Sequence, residues 1–265
     1  MSLPLNAHTN SYVFGRGKIY IDIFDTAGAK TGERYLGNCP GFTLNVATEK
    51  YEHFASTAGL RKKDLTVITS VNFNAKISCD DVGADNLALF VGGDVSSVSQ
   101  AATPVTAEAI KVKAGCEYQL GATASNPMGV KNVTTVTVKD DTDATTYVLN
   151  TDYTVDTATA RISIIAGGAI TDGDTVHAGY TPTAGSRTRV TSGASGSNAG
   201  AVRFIADNAV GENRDCYIAS ASLAASGDLP FITENDVAKF DLDVGVNEKD
   251  SNTPQIIIDG TLVAA

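Results

Sequence analysis

Tryptophan is absent from the sequence and histidine is scarce, with three residues in a chain of 265. The three, His8, His53 and His177, are not spaced as ligands of one metal ion, or as a general base and the residue that orients it. The chain also lacks a G-x-x-x-x-G-K-S/T phosphate loop, and its G-R-G segment has neither the third glycine nor the following helix of a dinucleotide site. The residues therefore predict no enzyme, no metal site and no cofactor.

Cysteine is equally sparse, and no two cysteines form a C-x-x-C pair. We expect separate, buried or half-buried thiols rather than a zinc site, and a reducing compartment during folding, such as a bacterial cytoplasm. The four residues are Cys39, Cys79, Cys116 and Cys216.

Export and membrane signals are missing as well. Met1–Asn10 lacks the basic start, the apolar run and the cleavage site of a secretory signal. No apolar stretch approaches the roughly 20 residues that span a bilayer. We therefore expect neither secretion nor insertion into a membrane.

Basic residues are outnumbered, 20 Lys and Arg against 30 Asp and Glu, which gives a net charge of −10. Proteins that grip phosphate backbones need clustered positive charge, so nucleic-acid binding through a basic patch is disfavoured. A protein that lets DNA pass without gripping it remains compatible with this charge.

Two acidic patterns deserve comparison with known chemistry. Asp140, Asp141 and Asp143 are similar to the start of a calcium loop, but the central glycine and the terminal glutamate are missing, so a solvated turn is favoured. Asp241 and Asp243 are two apart on a predicted strand and share a face, as a glycosidase could require. Nothing else in the sequence completes such an active site.

The pattern that is present is alternation with period two in Val-, Ile-, Thr-, Phe- and Tyr-rich segments, which predicts a mainly β protein. Outside the middle of the chain, the predicted strands are Lys18–Asp25, the segment around Phe42, Leu44 and Val46, Leu65–Ser78, Cys216–Leu223, Val237–Val246 and Gln255–Val263. In the third of these, one face carries Val67, Val71, Phe73, Ala75 and Ile77, and the other carries Ile68, Ser70, Asn72, Asn74, Lys76 and Ser78.

One short helix is predicted over Asp81–Val91, with Asp80 and Asp81 as N-terminal carboxylates and Gly92-Gly93 as its end. Its stripe of Leu87, Phe90 and Val91 is expected to pack on the sheet.

The middle of the chain predicts a separate small β-domain over 101–186, inserted between a first part, 1–100, and a second part, 187–265. It lies between two stretches predicted to be flexible, Val95–Pro104 and Thr191–Gly200. An immunoglobulin-like fold is one option for it. The predicted strands are Ala109–Val112, Val133–Lys139, Thr146–Leu149, Tyr153–Asp156, Arg161–Ile165 and Thr175–Tyr180, with a hairpin turn at Asp156–Thr159.

Four segments outside the insert resemble the major tail tube proteins of long-tailed, siphovirus-like bacteriophages. They are F-G-R-G-K-I-Y-I-D-I-F at Phe14–Phe24, L-G-N-C-P-G-F-T-L-N-V at Leu36–Val46, the charged segment Tyr51–Leu65, and D-L-P-F-I-T-E-N-D-V-A-K-F-D-L-D-V at Asp228–Val244. The resemblance lies in the order of these segments over 12–93 and 201–263, and none is as specific as a metal signature.

The resemblance implies a tail-tube fold of sandwich or barrel-forming sheets, assembled as hexameric rings that stack into a conduit for DNA. It further implies a place in the virion tail, assembly in the host cytoplasm, and tape measure, tail terminator and baseplate or tail tip proteins as partners. A barrel of several chains leaves a wet channel. We expect polar strand faces to line it, at Ser70, Asn72, Asn74, Asp241 and Asp243, and an acidic lining to repel DNA phosphates. The alternative for any one of these residues is an ordinary solvated sheet face.

The segment Glu49–Asp64 is predicted to be a loop that contacts neighbouring subunits or rings, so that its deletion should leave a folded monomer unable to polymerise. The residues expected to make these contacts are Glu49, Glu52, His53, Arg61, Lys62, Lys63 and Asp64.

The alternative is a phage decoration protein or a host-surface, carbohydrate-binding β-module with the insert as the reader. The insert offers only Tyr118, Tyr147, Tyr153 and Tyr180 to stack on sugars. An enzyme is a third and weaker option.

Overall fold

A computed structural model describes residues 12–57, 59–193 and 198–261. The protein is mainly β, which confirms the predicted fold class. In chain order the elements are β1 (Gly17–Ile23), β2 (Arg34–Tyr35), β3 (Gly41–Ala55), β4 (Lys62–Cys79), α1 (Ala84–Val91), β5 (Asp94–Gln100), β6 (Val105–Lys111), β7 (Glu117–Gln119), β8 (Val133–Asp140), β9 (Tyr153–Asp156), β10 (Arg161–Ile164), β11 (Thr175–Pro182), β12 (Gly185–Thr191), β13 (Asn198–Ala206), β14 (Arg214–Ser226), β15 (Phe240–Val246) and β16 (Ile256–Gly260).

The chain divides into two compact units. The first comprises Met1–Ser96 and Arg189–Ala265, and the second comprises Ser97–Thr188, which lies within a few residues of the predicted insert 101–186. Strands β5 and β12 pair with each other. Strand β5 lies largely within Val95–Pro104, one of the stretches predicted to be flexible, whereas β12 shares only Thr191 with the other, Thr191–Gly200, of which residues 194–197 lie outside the described residues. The serine content of β5 is compatible with a strand once a partner strand supplies the backbone hydrogen bonds.

The first unit is one antiparallel sheet with the order β2-β1-β13-β14-β15-β4-β3, and β16 pairs with β14. The ring of Phe42 on β3 contacts that of Phe204 on β13, with centroids 5.5 Å apart. Three strands separate β3 from β13 in the sheet. The sheet therefore curls, so that residues from both of its halves share one core, among them Ile21, Ile77 and Leu242.

The single described helix, α1, begins three residues later than predicted. Gly83 is its N-cap and provides no side-chain hydrogen bond, whereas Gly92, in the left-handed conformation, ends it as expected. The carboxylate of Asp80 instead accepts hydrogen bonds from Asn38, 2.7 and 2.8 Å away. The predicted N-cap role of the two aspartates is therefore wrong.

The packing face of α1 also differs from the predicted stripe. Asn86, Ala88 and Leu89 are buried, and Phe90 meets Phe240 edge-on at 5.7 Å. Val91, by contrast, is 38% exposed. Among the residues described, no helix is long and apolar enough to cross a bilayer.

The second unit consists of two three-stranded sheets, β7-β10-β9 and β6-β11-β8. They share one core, which includes Val138, Ile162 and Val176. The predicted hairpin is confirmed as β9 and β10, and Asp156 caps its turn by accepting hydrogen bonds from Ala158, Thr159 and the Thr159 hydroxyl. Thr146–Leu149, predicted as a strand, forms only isolated bridges.

Candidate functional site

The first candidate surface is the polar sheet face, which we define by Thr43 and Asn45 on β3, Asn72, Asn74, Lys76 and Ser78 on β4, and Asp241 and Asp243 on β15. Asn74 lies opposite Asn45 on one side and Gly245 on the other, and Asp243 lies opposite Lys76. Directly opposed side chains in an antiparallel sheet point to the same side. Four of the five residues predicted to line a lumen, Asn72, Asn74, Asp241 and Asp243, are thus brought together on one face.

A cross-strand ion pair organises the charge on this face. Lys76 Nζ lies 2.8 Å from Asp241 Oδ2, and the Ser78 hydroxyl donates to Asp241 Oδ1. The hydrogen bond from Lys76, followed by that from Ser78, lowers the pKa of Asp241 below its ordinary value. Asp243 is exposed and forms no ion pair with a described residue. Of the two carboxylates, Asp243 is therefore the uncompensated negative charge.

A shallow depression of about 430 Å³ lies on this face, where Gly245 supplies no side chain between its neighbours. Its lining includes Thr43, Asn45, Asn74, Lys76 and Asp243. The depression presents hydroxyl, amide and charged groups to water, as expected of a surface that stays wet.

Ser70 differs from the other predicted lumen residues. It lies opposite Glu49, next to a register shift between β3 and β4. Its hydroxyl oxygen is buried and makes no hydrogen bond to any described residue. Ser70 therefore does not present its hydroxyl group to a channel in the single subunit.

The second candidate surface is the distal hairpin, which we define as residues 49–70. The predicted loop Glu49–Asp64 is wrong, because β3 continues to Ala55 and β4 begins at Lys62, and the two strands stay paired between those ends. The many charged residues had favoured a loop. Cross-strand ion pairing instead accommodates several of them in a sheet.

The predicted contact residues of this segment mostly pair within the hairpin itself. Lys63 Nζ lies 2.9 Å from Glu52 Oε1, and His53 Nδ1 lies 2.6 Å from Asp64 Oδ1. The Arg61 guanidinium stands 5.5 Å above the ring of Phe54. Lys62 forms no ion pair with any described residue and is exposed.

The distal hairpin exposes six large apolar side chains. The exposed side chains, from 38% to 77% of their surface, are Tyr51, Phe54, Leu60, Leu65, Val67 and Ile68. Glu52 and Phe54 alternate with Tyr51 and His53 along β3, so these apolar groups occupy both faces of a two-stranded ribbon. No third strand or helix among the described elements covers them, since β15 pairs with β4 only as far as Asn74.

The sequence analysis did not identify the exposed apolar residues of the distal hairpin as a functional surface. It also assigned Val67 and Ile68 to the faces of β4 opposite to those that they occupy. The register shift pairs Glu49 with Ser70 but Lys50 with Ile68, so β4 carries one extra residue. Such a bulge reverses the alternation beyond it. The length of the strand was the one sign of a bulge, because β4 has 18 residues, about three times as many as an ordinary strand.

The remaining chemistry-bearing residues serve local structure. Cys39 and Cys79 are neighbours, so the expectation of separate thiols is wrong for this pair; their hydrogen bond, and then burial, raise the pKa of Cys39. Asp140 caps its own turn by accepting from Thr145 at 3.0 Å. Asp143 faces His177 at 3.1 Å. Within the described ranges, no three His, Cys, Asp or Glu side chains are grouped to hold a metal ion.

The chain belongs to the family described as Protein of unknown function UCP028589, whose model matches residues 12–255. This match covers both compact units. A comparison with curated proteins found no match.

Proposed function

We propose that the protein is a structural subunit that assembles with copies of itself into stacked hexameric rings, and that these rings form the tail tube of a long-tailed phage. The observation that carries this proposal is the distal hairpin, a ribbon with apolar side chains on both faces that no described element of the subunit covers. Extended apolar surface of this kind marks contact with another protein. A second copy of the chain is the occupant that the sequence resemblance implies.

Backbone geometry favours the same conclusion. Strand β3, with 15 residues, is one edge of the sheet. Its outer N–H and C=O groups are available to a neighbouring strand, and a long exposed edge invites such pairing. A closed ring of subunits removes every such edge. Edge pairing and burial of the distal hairpin would then stabilise one assembly together.

The polar sheet face supplies a surface suited to a DNA conduit. It carries amides, hydroxyls and a compensated ion pair, and its uncompensated charge is the carboxylate of Asp243. Phosphates do not bind tightly to a surface without clustered Lys and Arg. In a chain of net charge −10, DNA would slide past rather than adhere.

The remaining parts of the proposal follow the resemblance. The tube would be assembled in the host cytoplasm on tape measure, tail terminator and baseplate or tail tip proteins, and would remain in the virion tail. The second unit would decorate the outside of the tube. The protein would act without a catalytic site.

Electron microscopy of the purified, concentrated protein tests the proposal. We expect rings and hollow tubes with an open bore. Closed shells, or a protein that stays monomeric at every concentration in analytical ultracentrifugation, would contradict it.

A charge reversal on the polar sheet face tests the conduit role. Asp243→Lys, alone and with Asp241→Lys, should leave tubes assembled but lower the rate of DNA delivery by assembled tails, because clustered cations hold phosphates. Asp141→Lys in the second unit is the matched control. Unchanged delivery by the doubly substituted tails would sink the assignment of this face to the bore.

The alternative, a carbohydrate-reading second unit, loses support from the structure. Tyr153 and Tyr180 are 3% and 4% exposed, and Tyr118 and Tyr147 are half-buried. Stacking on sugars requires accessible ring faces. Glycan-array binding by the full chain would nevertheless restore that alternative.

A further inference from the structure

Two protrusions of the first unit carry apolar side chains beside charges of opposite sign. We call residues 59–63 the basic tip, which comprises the end of the β3–β4 turn and the first two residues of β4, and residues 227–239 the acidic loop, which joins β14 to β15. Leu229 of the acidic loop packs against the core of the unit, but the large exposed apolar side chains of both protrusions, Leu60, Phe231 and Ile232, do not.

The basic tip presents one large apolar group among cations. Leu60 is 77% exposed, and Arg61, Lys62 and Lys63 follow it directly. Lys63 is engaged by Glu52 at 2.9 Å. Arg61 and Lys62 form no ion pair with the described residues, which leaves two positive charges available beside Leu60.

The acidic loop has the complementary character. Phe231 and Ile232 are 89% and 90% exposed, which is extreme for such large apolar side chains. Asp236 is engaged by Lys239 at 2.7 Å. Asp228 and Glu234 are exposed and form no ion pair with any residue the structure describes, so two negative charges flank the apolar pair.

The two protrusions lie at opposite ends of the same strand. The acidic loop leads into Phe240, which pairs with Cys79 at the end of β4, whereas the basic tip contains Lys62, the first residue of β4. At about 3.3 Å per residue, the 18-residue strand separates them by about 55 Å. A subunit therefore cannot bring its own tip to its own loop, but two copies in head-to-tail order can bring the tip of one to the loop of the next.

We propose that the basic tip of one copy docks on the acidic loop of another copy, with Leu60 against Phe231 and Ile232, and Arg61 and Lys62 facing Asp228 and Glu234. The contact is heterologous, since it uses two different surfaces, and a heterologous contact that does not close into a ring repeats along one direction. It rests on the proposed tube function and specifies the surfaces through which successive rings join.

Paired charge reversals in the full chain test the contact. The tip variant is Arg61→Glu with Lys62→Glu, and the loop variant is Asp228→Lys with Glu234→Lys. Each variant alone places like charges face to face, so we expect its critical concentration for assembly to rise roughly tenfold or more. An equimolar mixture of the two restores both complementary contacts in alternation, and should polymerise like the natural sequence.

Sedimentation and electron microscopy give the readout, and a thermal melt of each variant verifies that it is folded. The matched control, Lys113→Glu with Asp141→Lys in the second unit, should assemble normally. If the natural sequence forms tubes and the variants do too, the docking contact is wrong while the tube function stands. Failure of the mixture to assemble would also overturn the contact, and absence of any assembly by the natural sequence would overturn both proposals.

Discussion

The β3–β4 hairpin has two parts: the base, residues 41–48 and 71–79, and the distal half, which is the distal hairpin of residues 49–70. Both parts are built from the same two strands, but different elements surround them. At the base, Phe42 faces Ile77 and both belong to the core of the first unit. Farther out, Tyr51 faces Val67 and both are exposed. The alternation of residues is similar in the two halves, and the difference is the third strand, because β15 lies beside β4 only between Cys79 and Asn74.

That comparison shows that an apolar strand residue is a core residue only where a neighbouring element covers it. Burying a large aliphatic or aromatic side chain stabilises a fold by about 1.5–3 kcal/mol. The base gains this stabilisation within the subunit. The distal half gains it only when another chain supplies the cover, which makes it the part of the sheet that is available for assembly.

Of the predicted changes, removal of the distal half should have the largest effect, because it should abolish assembly while leaving the base folded. Thr48 lies opposite Val71, so replacing residues 49–70 by Asn-Gly closes the base with a tight hairpin turn. We expect a folded monomer whose melting temperature changes little, together with loss of all rings and tubes, as measured by calorimetry and electron microscopy. Tubes formed by this shortened chain would show that the distal hairpin is dispensable.

A matched pair of isoleucines on β4 gives the next largest effect. Ile77, which is 0% exposed, and Ile68, which is 57% exposed, lie on the same strand. Ile77→Ala should lower the free energy of unfolding by about 2–5 kcal/mol, whereas Ile68→Ala should lower it by about 0.5 kcal/mol or less. Chemical denaturation of the monomer measures both. Equal losses would mean that the distal half is already covered in the isolated subunit.

The smallest effect concerns acid stability at the base. Hydrogen bonds from Lys76 and Ser78 lower the pKa of Asp241 in the folded protein. Their stabilising contribution is therefore present above the unfolded pKa of about 3.9 and is lost as the pH falls through the lower folded value. Asp241→Asn should remove this acid-dependent component of the melting temperature.

The side chain of Asp241 is about one-third exposed, so solvent screening weakens the contribution of this ion pair to stability. Asp243→Asn is the control, because Asp243 forms no ion pair with a described residue. An identical acid profile for Asp241→Asn and the natural sequence would refute a stabilising role for the pair with Lys76.

Much of the fold could be predicted from local pattern, and the failures share one cause. The strand Tyr153–Asp156 and its turn were predicted because alternation and an aspartate turn are encoded within a few residues. The start of α1 was misplaced because the carboxylate of Asp80 is occupied by Asn38, a residue distant in sequence. The hydrogen bond between the Cys39 and Cys79 thiols was missed for the same reason, because the two residues are distant in sequence.

The candidate sites also contain a part that local alternation predicted and a part that depends on tertiary structure. Alternation placed Asn72 and Asn74 on the polar face of one predicted strand, and Asp241 and Asp243 on the polar face of another. The pairing of β15 with β4 joins the two faces into one. Within the distal hairpin, Glu49–Asp64 was predicted as a charged loop; its charged side chains are largely exposed, but most of its backbone forms strands. The faces on which its apolar side chains lie depend on a β-bulge, and no residue type in that segment predicts the bulge.

The sequence by itself determined that this protein is mainly β and which residues alternate along each strand, because side-chain direction in a strand depends only on neighbouring residues. Only the tertiary structure decided where those strands are covered. The partners that cover or pair them come from far along the chain, as with Ser78 and Asp241, which are 163 residues apart. Burial therefore depends on where a distant strand such as β15 ends, and the short-range pattern of β4 does not contain that information.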